Sequence, residues 1–443
     1  MSSAHTDGVA RRISADAATF ASLPLALAQR VFLALPVDAR GRACCVCRAW
    51  RDALADPSLW SRLDMSPFVE VEEERFVAVL HGAAGRAQGQ LCVLDLSQEH
   101  VSMDDLLPVL TANAGSLREL HLLPVDGDDV DVCPTVEAVV AAAPLLQVVT
   151  ADEVGCTWKD APRMLRAEPP FAPLQIRHRL HVSFTGAEYD DGMENFGPFA
   201  AALADVTLQP ALSELRVHLA DTEQAAVMGA LVDAVLARRL RGLTLDECTP
   251  PAAVPLARLL AGGSLATLEV STSGAPLLRA AGAALVADAL RMNTTLTILH
   301  LCGTNLCGDM NAAGVLLGAL VGHPSLRELR IIQDFPVDIG AFGAALGALI
   351  AADAPALQVL DCSELALGDA GLAPIVKALA LNRHLRTLNI GFNFMSKTFA
   401  CERLLPAVRA NTTLRELKCV DVEWRCQAEV EAVALVRHRG QYD

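Results

Sequence analysis

The chain has 443 residues and a net charge of −16, and it is 52% hydrophobic but only 4% aromatic. Phosphate groups need clustered cations, so this balance argues against nucleic acid or an anionic membrane as the main partner. The longest uncharged apolar run, residues 339–352, has 14 residues, short of the roughly 20 that span a bilayer. A core so poor in aromatics has to be assembled from many small, similar elements rich in Leu, Ala and Val.

Residues 1–19 read as a disordered tail without the charged-then-apolar form of a signal peptide. The protein is therefore expected to be soluble, cytoplasmic and/or nuclear, and not secreted. Its 13 Cys are then reduced thiols, and Asn293-Thr294-Thr295 and Asn411-Thr412-Thr413 are not glycosylation sites. Charge is uneven: residues 1–62 hold eight Arg and five Asp, a net of +3, which leaves −19 for the remainder.

Residues 22–64 predict three short helices. Ser22 caps the first, which carries an apolar stripe of Leu23, Leu27, Val31 and Leu35, with Pro24 in its first turn and Pro36 at its end. Asp38 starts a second helix through residues 39–54, and Asp56-Pro57 starts a third short turn with Leu59 and Trp60. A segment of about 40 residues rarely buries enough surface to stand alone. Its apolar face needs the rest of the chain or a second protein, and Trp50 and Trp60, two of only four Trp, are concentrated there.

Residues 67–90 predict a linking helix with Phe76, Val79 and Leu80 apolar. From residue 91 to 425 the pattern LxxLxL recurs about every 28 residues, starting at Leu91, Leu117, Leu145, Leu212, Leu240, Leu265, Leu296, Leu326, Leu357, Leu385 and Leu414. The LxL alternation has the period of a strand with one buried face, and the residues after it have apolar positions at helical spacing. Each unit is one strand and one helix that cannot bury its apolar face alone, so the units stack. The expected fold class is α/β, a solenoid with a curved parallel sheet inside and helices outside. Residues 150–211 break the period, with 174–184 the candidate for a divergent unit, and residues 426–443 form a C-terminal cap helix or tail.

Motifs for chemistry are weak. The segment 391–398, GFNFMSKT, lacks the Gly that a phosphate loop needs, since Ser396 stands there. Cys44, Cys45 and Cys47 fall on a predicted helix, and Cys302 and Cys307 lack paired partners at zinc spacing; no metal and no cofactor are expected. The residue between the last two apolar positions of each LxxLxL points to the inner face of the sheet. This gives a row of candidate partner-binding residues: Asp95, His121, Arg216, Thr244, Glu269, His300, Arg330, Asp361, Asn389 and Lys418.

Two stretches carry a family resemblance. Residues 23–65, LPLALAQRVFLALPVDARGRACCVCRAWRDALADPSLWSRLDM, resemble the F-box, with its LP, apolar helix, second LP, VCRxWR, DPxLW and LD; the F-box is assigned to residues 20–66. Residues 291–306, RMNTTLTILHLCGTNL, and 381–396, LNRHLRTLNIGFNFMS, resemble leucine-rich repeats of the ribonuclease-inhibitor-like class. The resemblance implies a small three-helix F-box followed by a leucine-rich-repeat array over 91–425. Leu23, Pro24, Leu27, Val31, Leu35, Pro36, Val46 and Trp50 would face a Skp-type adaptor and through it a cullin, with Trp60 and Leu63 toward the junction with the repeats.

The implied role is a non-catalytic substrate-recognition subunit of an SCF ubiquitin ligase, whose concave repeat face binds a target protein. Two alternatives stay open: a non-ligase scaffold whose F-box-like head is an N-terminal cap, and an enzyme with its site in 150–211. Arg40, Gly41, Ala43 and Cys45 depart from the leucines common in F-boxes and imply a smaller, more basic second helix with altered adaptor affinity. In the repeat family a polar residue after the strand hydrogen-bonds along the stack. Asn393 and Cys248 occupy that slot, Thr304 and Asp334 are weaker substitutes, and Val125, Leu365 and Val422 depart from it, which predicts irregular turns there.

Overall fold

A computed structural model describes residues 25–68, 71–97, 101–122, 133–183, 192–219, 225–247, 253–272, 278, 280–303, 310–332 and 339–420. They fall into two compact units: residues up to Cys156 with Arg166–His178, and Thr157–Leu165 with the residues from Arg179 on. The chain is a helical head followed by parallel strands alternating with helices, an α/β solenoid.

The first unit begins with helices Leu25–Leu33, Val37–Ala43 and Arg48–Ala53 and a 3-10 turn, Pro57–Trp60. The helix expected over 39–54 is thus two helices. The break comes at Cys44–Cys47, where Cys47 is fully extended and starts the next helix. Arg40 does not contribute to a basic surface. It is buried, and its guanidinium donates to the carbonyls of Leu35 (2.8 Å) and Leu33 (3.3 Å), at the end of the first helix, and of Leu59 (2.5 Å) in the 3-10 turn.

Trp60 is buried. Its Nε1 donates to the Leu54 carbonyl at 2.8 Å, and the Arg86 guanidinium lies over its ring, 4.9 Å from the centroid. Arg86 ends helix Glu73–Arg86, whose buried side includes Phe76 and Leu80. Strand β1, Arg62–Asp64, follows Trp60 directly and pairs in parallel with β2, Val93–Leu96. Strands β3, Glu119–Leu122, and β4, Val148–Thr157, add in sequence order. The β3–β4 register matches Glu119 with Val148, which aligns Leu117 with Leu146. Leu145, expected to start that repeat, is therefore one residue out of frame and exposed.

Strand β5, Leu174–Ser183, covers the divergent segment expected at 174–184. Its second half belongs to the second unit and pairs with β6, Glu214–His218. Strands β7 (Gly242–Asp246), β8 (Thr267–Ser271), β9 (Ile298–Cys302), β10 (Glu328–Ile332), β11 (Val359–Asp361), β12 (Thr387–Asn389) and β13 (Glu416–Lys418) continue the parallel ladder. In β6 and β8–β10 the second and fourth residues are buried on the helix side and the others are half-exposed on the open face. The small cavity of about 20 Å³ beneath β8–β10 is lined only by Leu, Val and Ile.

Buried amides close the turns ahead of the strands. Asn293, Asn382 and Asn411 each donate Nδ2 to a carbonyl of the preceding helix end (Leu260, Ile350 and Leu379, at 2.7, 2.9 and 2.7 Å). Each also accepts, through Oδ1, from the backbone N–H two and three residues on. One side chain thus satisfies a helix C-terminus and the next strand's entry together. His323 takes this slot in its repeat and accepts from Leu326 N through Nδ1 at 3.2 Å. Asn293 and Asn411 head the two sequons, and their amide nitrogens are buried and already donating.

After the strands, Asn393 is buried and donates to the carbonyls of Cys362 (2.8 Å) and Ile390 (3.0 Å), while accepting from Leu367 N. Residues 392 and 394 on either side are Phe in the left-handed region, with φ of 55° and 57°. Leu365, expected to make an irregular turn, sits in a turn of the same kind: it is buried between Glu364 (φ 59°) and Ala366 (φ 51°). Cys248, Thr304, Asp334, Val125 and Val422 lie outside the described residues, as do the N-terminal tail and the segment 426–443.

Candidate functional site

Two surfaces collect the residues singled out from sequence. The first is the head. Leu23 and Pro24 lie outside the described residues. Leu27, Val31 and Val46 are exposed, at 47%, 44% and 62%, Pro36 is exposed and Leu35 partly so. Leu25 and Leu33, not singled out from the sequence, are exposed as well, at 59% and 51%.

The first helix explains this pattern. Apart from Gln29 and Arg30 its residues are apolar, LALAQRVFL, and Ala28 and Phe32 supply its buried side, which leaves Leu27 and Val31 facing outward. An exposed apolar stripe of this kind calls for cover. Trp50 is half-buried, with its ring edge-on to Phe32 at 5.5 Å between centroids and 72° between planes. It is therefore part of the head's own packing as well as of its surface.

The second surface is the open face of the sheet. In the first unit Asp95 pairs in register with His121, and His121 with Thr150. His121 Nδ1 lies 2.5 Å from Thr150 Oγ1, and Asp95 accepts from Ser97 N. Thr150 was missed because its repeat is out of frame at Leu145.

In the second unit Arg216, Thr244, Glu269, His300, Arg330, Asp361, Asn389 and Lys418 stand in register on eight consecutive strands. His181 extends this row on β5 and was missed because the divergent unit has no leucine frame.

Most charges on this face are paired with one another. Arg179 forks onto Glu214 (3.0 and 2.7 Å), Arg216 meets Asp246 at 2.6 Å, Arg330 meets Asp361 at 3.4 Å and Lys418 meets Glu416 at 3.4 Å. Thr244 donates to Glu269 at 3.2 Å, and Asn389 accepts from Gly391 N. The Arg179–Glu214, Thr244–Glu269 and Arg330–Asp361 pairs face each other across neighbouring strands, Arg216–Asp246 is diagonal, and Lys418–Glu416 lies within one strand. A partner on this face therefore meets locally compensated charge and has to compete for it, which weakens long-range steering.

His300 is the most constrained member. Nδ1 lies 3.0 Å from a Glu269 oxygen and Nε2 2.9 Å from a Glu328 oxygen. Burial opposes charging of the ring, but the hydrogen bonds and charges of Glu269 and Glu328 outweigh it and raise its pKa. The hydrogen bond from His300 likewise holds Glu269 below the usual carboxylate range, against its own desolvation.

A raised histidine pKa gives stability that is fully present below 6.5, the ordinary value, and lost as pH rises through the folded value. Melting temperatures of wild type and His300→Gln, compared from about pH 5.5 to about pH 8.5, should therefore differ most at the acid end and converge toward the alkaline end. A gap independent of pH would rule out the doubly paired imidazolium.

Among the described residues no group of three or more His, Cys, Asp or Glu could hold a metal ion, and no helix is long and apolar enough to cross a membrane. The F-box-like family model matches residues 20–66, the segment that carries the exposed helix stripe. No curated protein matches the chain. The chain thus joins an F-box-like domain to a region of repeated parallel strands, an architecture typical of non-catalytic interaction proteins.

Proposed function

We propose that this protein is the substrate-recognition subunit of an SCF-type, cullin-RING ubiquitin ligase. Its F-box, residues 20–66, binds a Skp-type adaptor and through it a cullin, and its array, leucine-rich repeats of the ribonuclease-inhibitor-like class over 91–425, binds a target protein. The observation that carries this reading is the F-box-like match over a helix whose exposed apolar residues Leu25, Leu27, Val31 and Leu33 have no cover among the described residues. The protein performs no bond chemistry itself. It raises the rate of transfer by holding a target lysine near a ubiquitin-charged enzyme, in the cytoplasm or nucleus where such ligases act.

The open-face row from Arg216 to Lys418, with Asp95 and His121 in the first unit, is the proposed target surface. Leu27, Val31, Leu35, Pro36, Val46 and Trp50, with Leu23 and Pro24, form the proposed adaptor surface.

Co-purification with a Skp-type adaptor tests the first step. Leu27 and Val31 are solvent-facing, so Leu27→Glu with Val31→Glu should abolish co-elution while leaving the melting temperature near that of wild type. Retained co-elution, or wild-type protein that does not bind the adaptor, would move the assignment to a scaffold whose head is an N-terminal cap.

A further inference from the structure

The charges of the open face are largely spent on one another, but at the edge where strands β10–β13 begin the situation differs. The residues that precede these strands form a row tied by backbone hydrogen bonds: Gln358 N to Arg327 O, Arg386 N to Gln358 O and Arg415 N to Arg386 O, at 2.8, 2.8 and 2.7 Å. Arg327 and Arg386 are exposed and Arg415 is half-buried.

Arg383 and His384, from the turn ahead of β12, join Gln358, Arg386, Arg415 and Thr412 around a groove of about 360 Å³. Among the described residues none of Arg327, Arg386 and Arg415 takes part in an ion pair, whereas Arg179, Arg216 and Arg330 on the open face all do. One acid flanks the groove, Asp353, and it is engaged. It accepts from Arg383 N at 2.7 Å and lies 2.9 Å from His384 Nδ1. Three arginines, Arg383, Arg386 and Arg415, thus line the groove, while the carboxylate bonded to its rim is already engaged, in a chain whose net charge is −16.

From this geometry we infer that the groove binds an extended, Asp/Glu-rich segment of a protein partner. Neighbouring strands are about 4.8 Å apart, so the row from Arg327, one strand beyond the groove lining, to Arg415 spans about 14 Å. That is too long a row for one phosphate. It matches about four residues of an extended peptide, which present alternate side chains to one side. Guanidinium groups suit carboxylates because their paired N–H donors match the two oxygens. The inference rests on the proposed role as a receptor for a protein target, and adds where on the array such a target is gripped and by what chemistry.

The test is fluorescence anisotropy with the full chain and a labelled ten-residue peptide of alternating Glu and Ser, beside its Gln-for-Glu counterpart. Wild type should bind the acidic peptide, weaken with added salt, and ignore the neutral one. Arg386→Gln with Arg415→Gln should raise Kd by about tenfold or more. Arg258→Gln with Arg291→Gln, exposed arginines elsewhere in the same unit, should leave it unchanged.

The inference is overturned if wild type does not bind, if the groove variant binds as wild type does, or if an oligothymidylate or a singly phosphorylated neutral peptide binds as tightly. Adaptor co-elution of the same groove variant keeps the two readings apart: retained adaptor with lost peptide supports the groove. A wild type that holds peptide but not adaptor removes the ligase reading alone.

Discussion

Asn382→Leu should destabilise the second unit by about 3–4 kcal/mol, although it changes neither charge nor volume greatly. The Asn382 amide donates to the Ile350 carbonyl at 2.9 Å, and Oδ1 accepts from His384 N at 3.0 Å and Leu385 N at 2.7 Å. The residue is buried, so leucine leaves three backbone groups without partners and without water. The turn can relax only by opening two neighbouring repeats.

The same slot is filled by His323 two repeats earlier, where Nδ1 accepts from Leu326 N. Asn382→His should therefore be markedly milder than Asn382→Leu. Urea unfolding followed by circular dichroism checks both, and equal effects of the two substitutions would show that the hydrogen bonds do not carry the stability of this turn. In a stacked array the loss is felt most by the nearest units, so hydrogen exchange should quicken first between β11 and β13.

Arg40→Met should cost the head about 3 kcal/mol and abolish adaptor binding as a consequence of unfolding. Three carbonyls, of Leu33, Leu35 and Leu59, lose their shared donor. Burial lowers the pKa of this guanidinium, so its charge is held at a cost that only these contacts offset. Lysine supplies a point donor in place of a planar fork, and Arg40→Lys should recover less than half of the loss. The contrast with Leu27→Glu/Val31→Glu is diagnostic. Arg40→Met should lower the melting transition and adaptor binding together, the surface pair adaptor binding alone. A folded Arg40→Met variant that still fails to bind would instead place Arg40 at the adaptor surface.

The parallel ladder was legible because its signal is dense. Each short strand is announced by leucines at fixed offsets, as at Leu385, Leu388 and Ile390, all buried. The signal fails where other apolar residues replace leucine. At β4 the buried position is Val149, and adjacent Leu145 and Leu146 leave the frame ambiguous by one residue, which is enough to hide Thr150. In the head, residues 39–54 have continuous helical periodicity, and the extended backbone at Cys47 that breaks it has no Pro or Gly to mark it.

Charge on the open face was legible by position but not by pairing. Arg179 and Glu214 are 35 residues apart, and only the strand register brings them together. The inward turn of Arg40 was hidden for a different reason: two arginines in one short helix, Arg40 and Arg42, give no sign which of them meets three carbonyls that lack donors.

Strand β1 has a consequence for how this protein is divided and inherited. Residues 62–64 lie inside the F-box-like segment 20–66, yet their backbone pairs with 93–95 as the opening strand of the ladder. The two parts therefore overlap by a strand, and the family boundary is not a seam. Removing the F-box-like segment by genetic truncation would bare the backbone of β2 as a raw sheet edge, open to pairing with other chains. Exchanging it for the head of another protein would graft a foreign first strand onto the array. Recombination that shuffles such heads freely needs a joint in a loop, and this chain places its joint within the sheet.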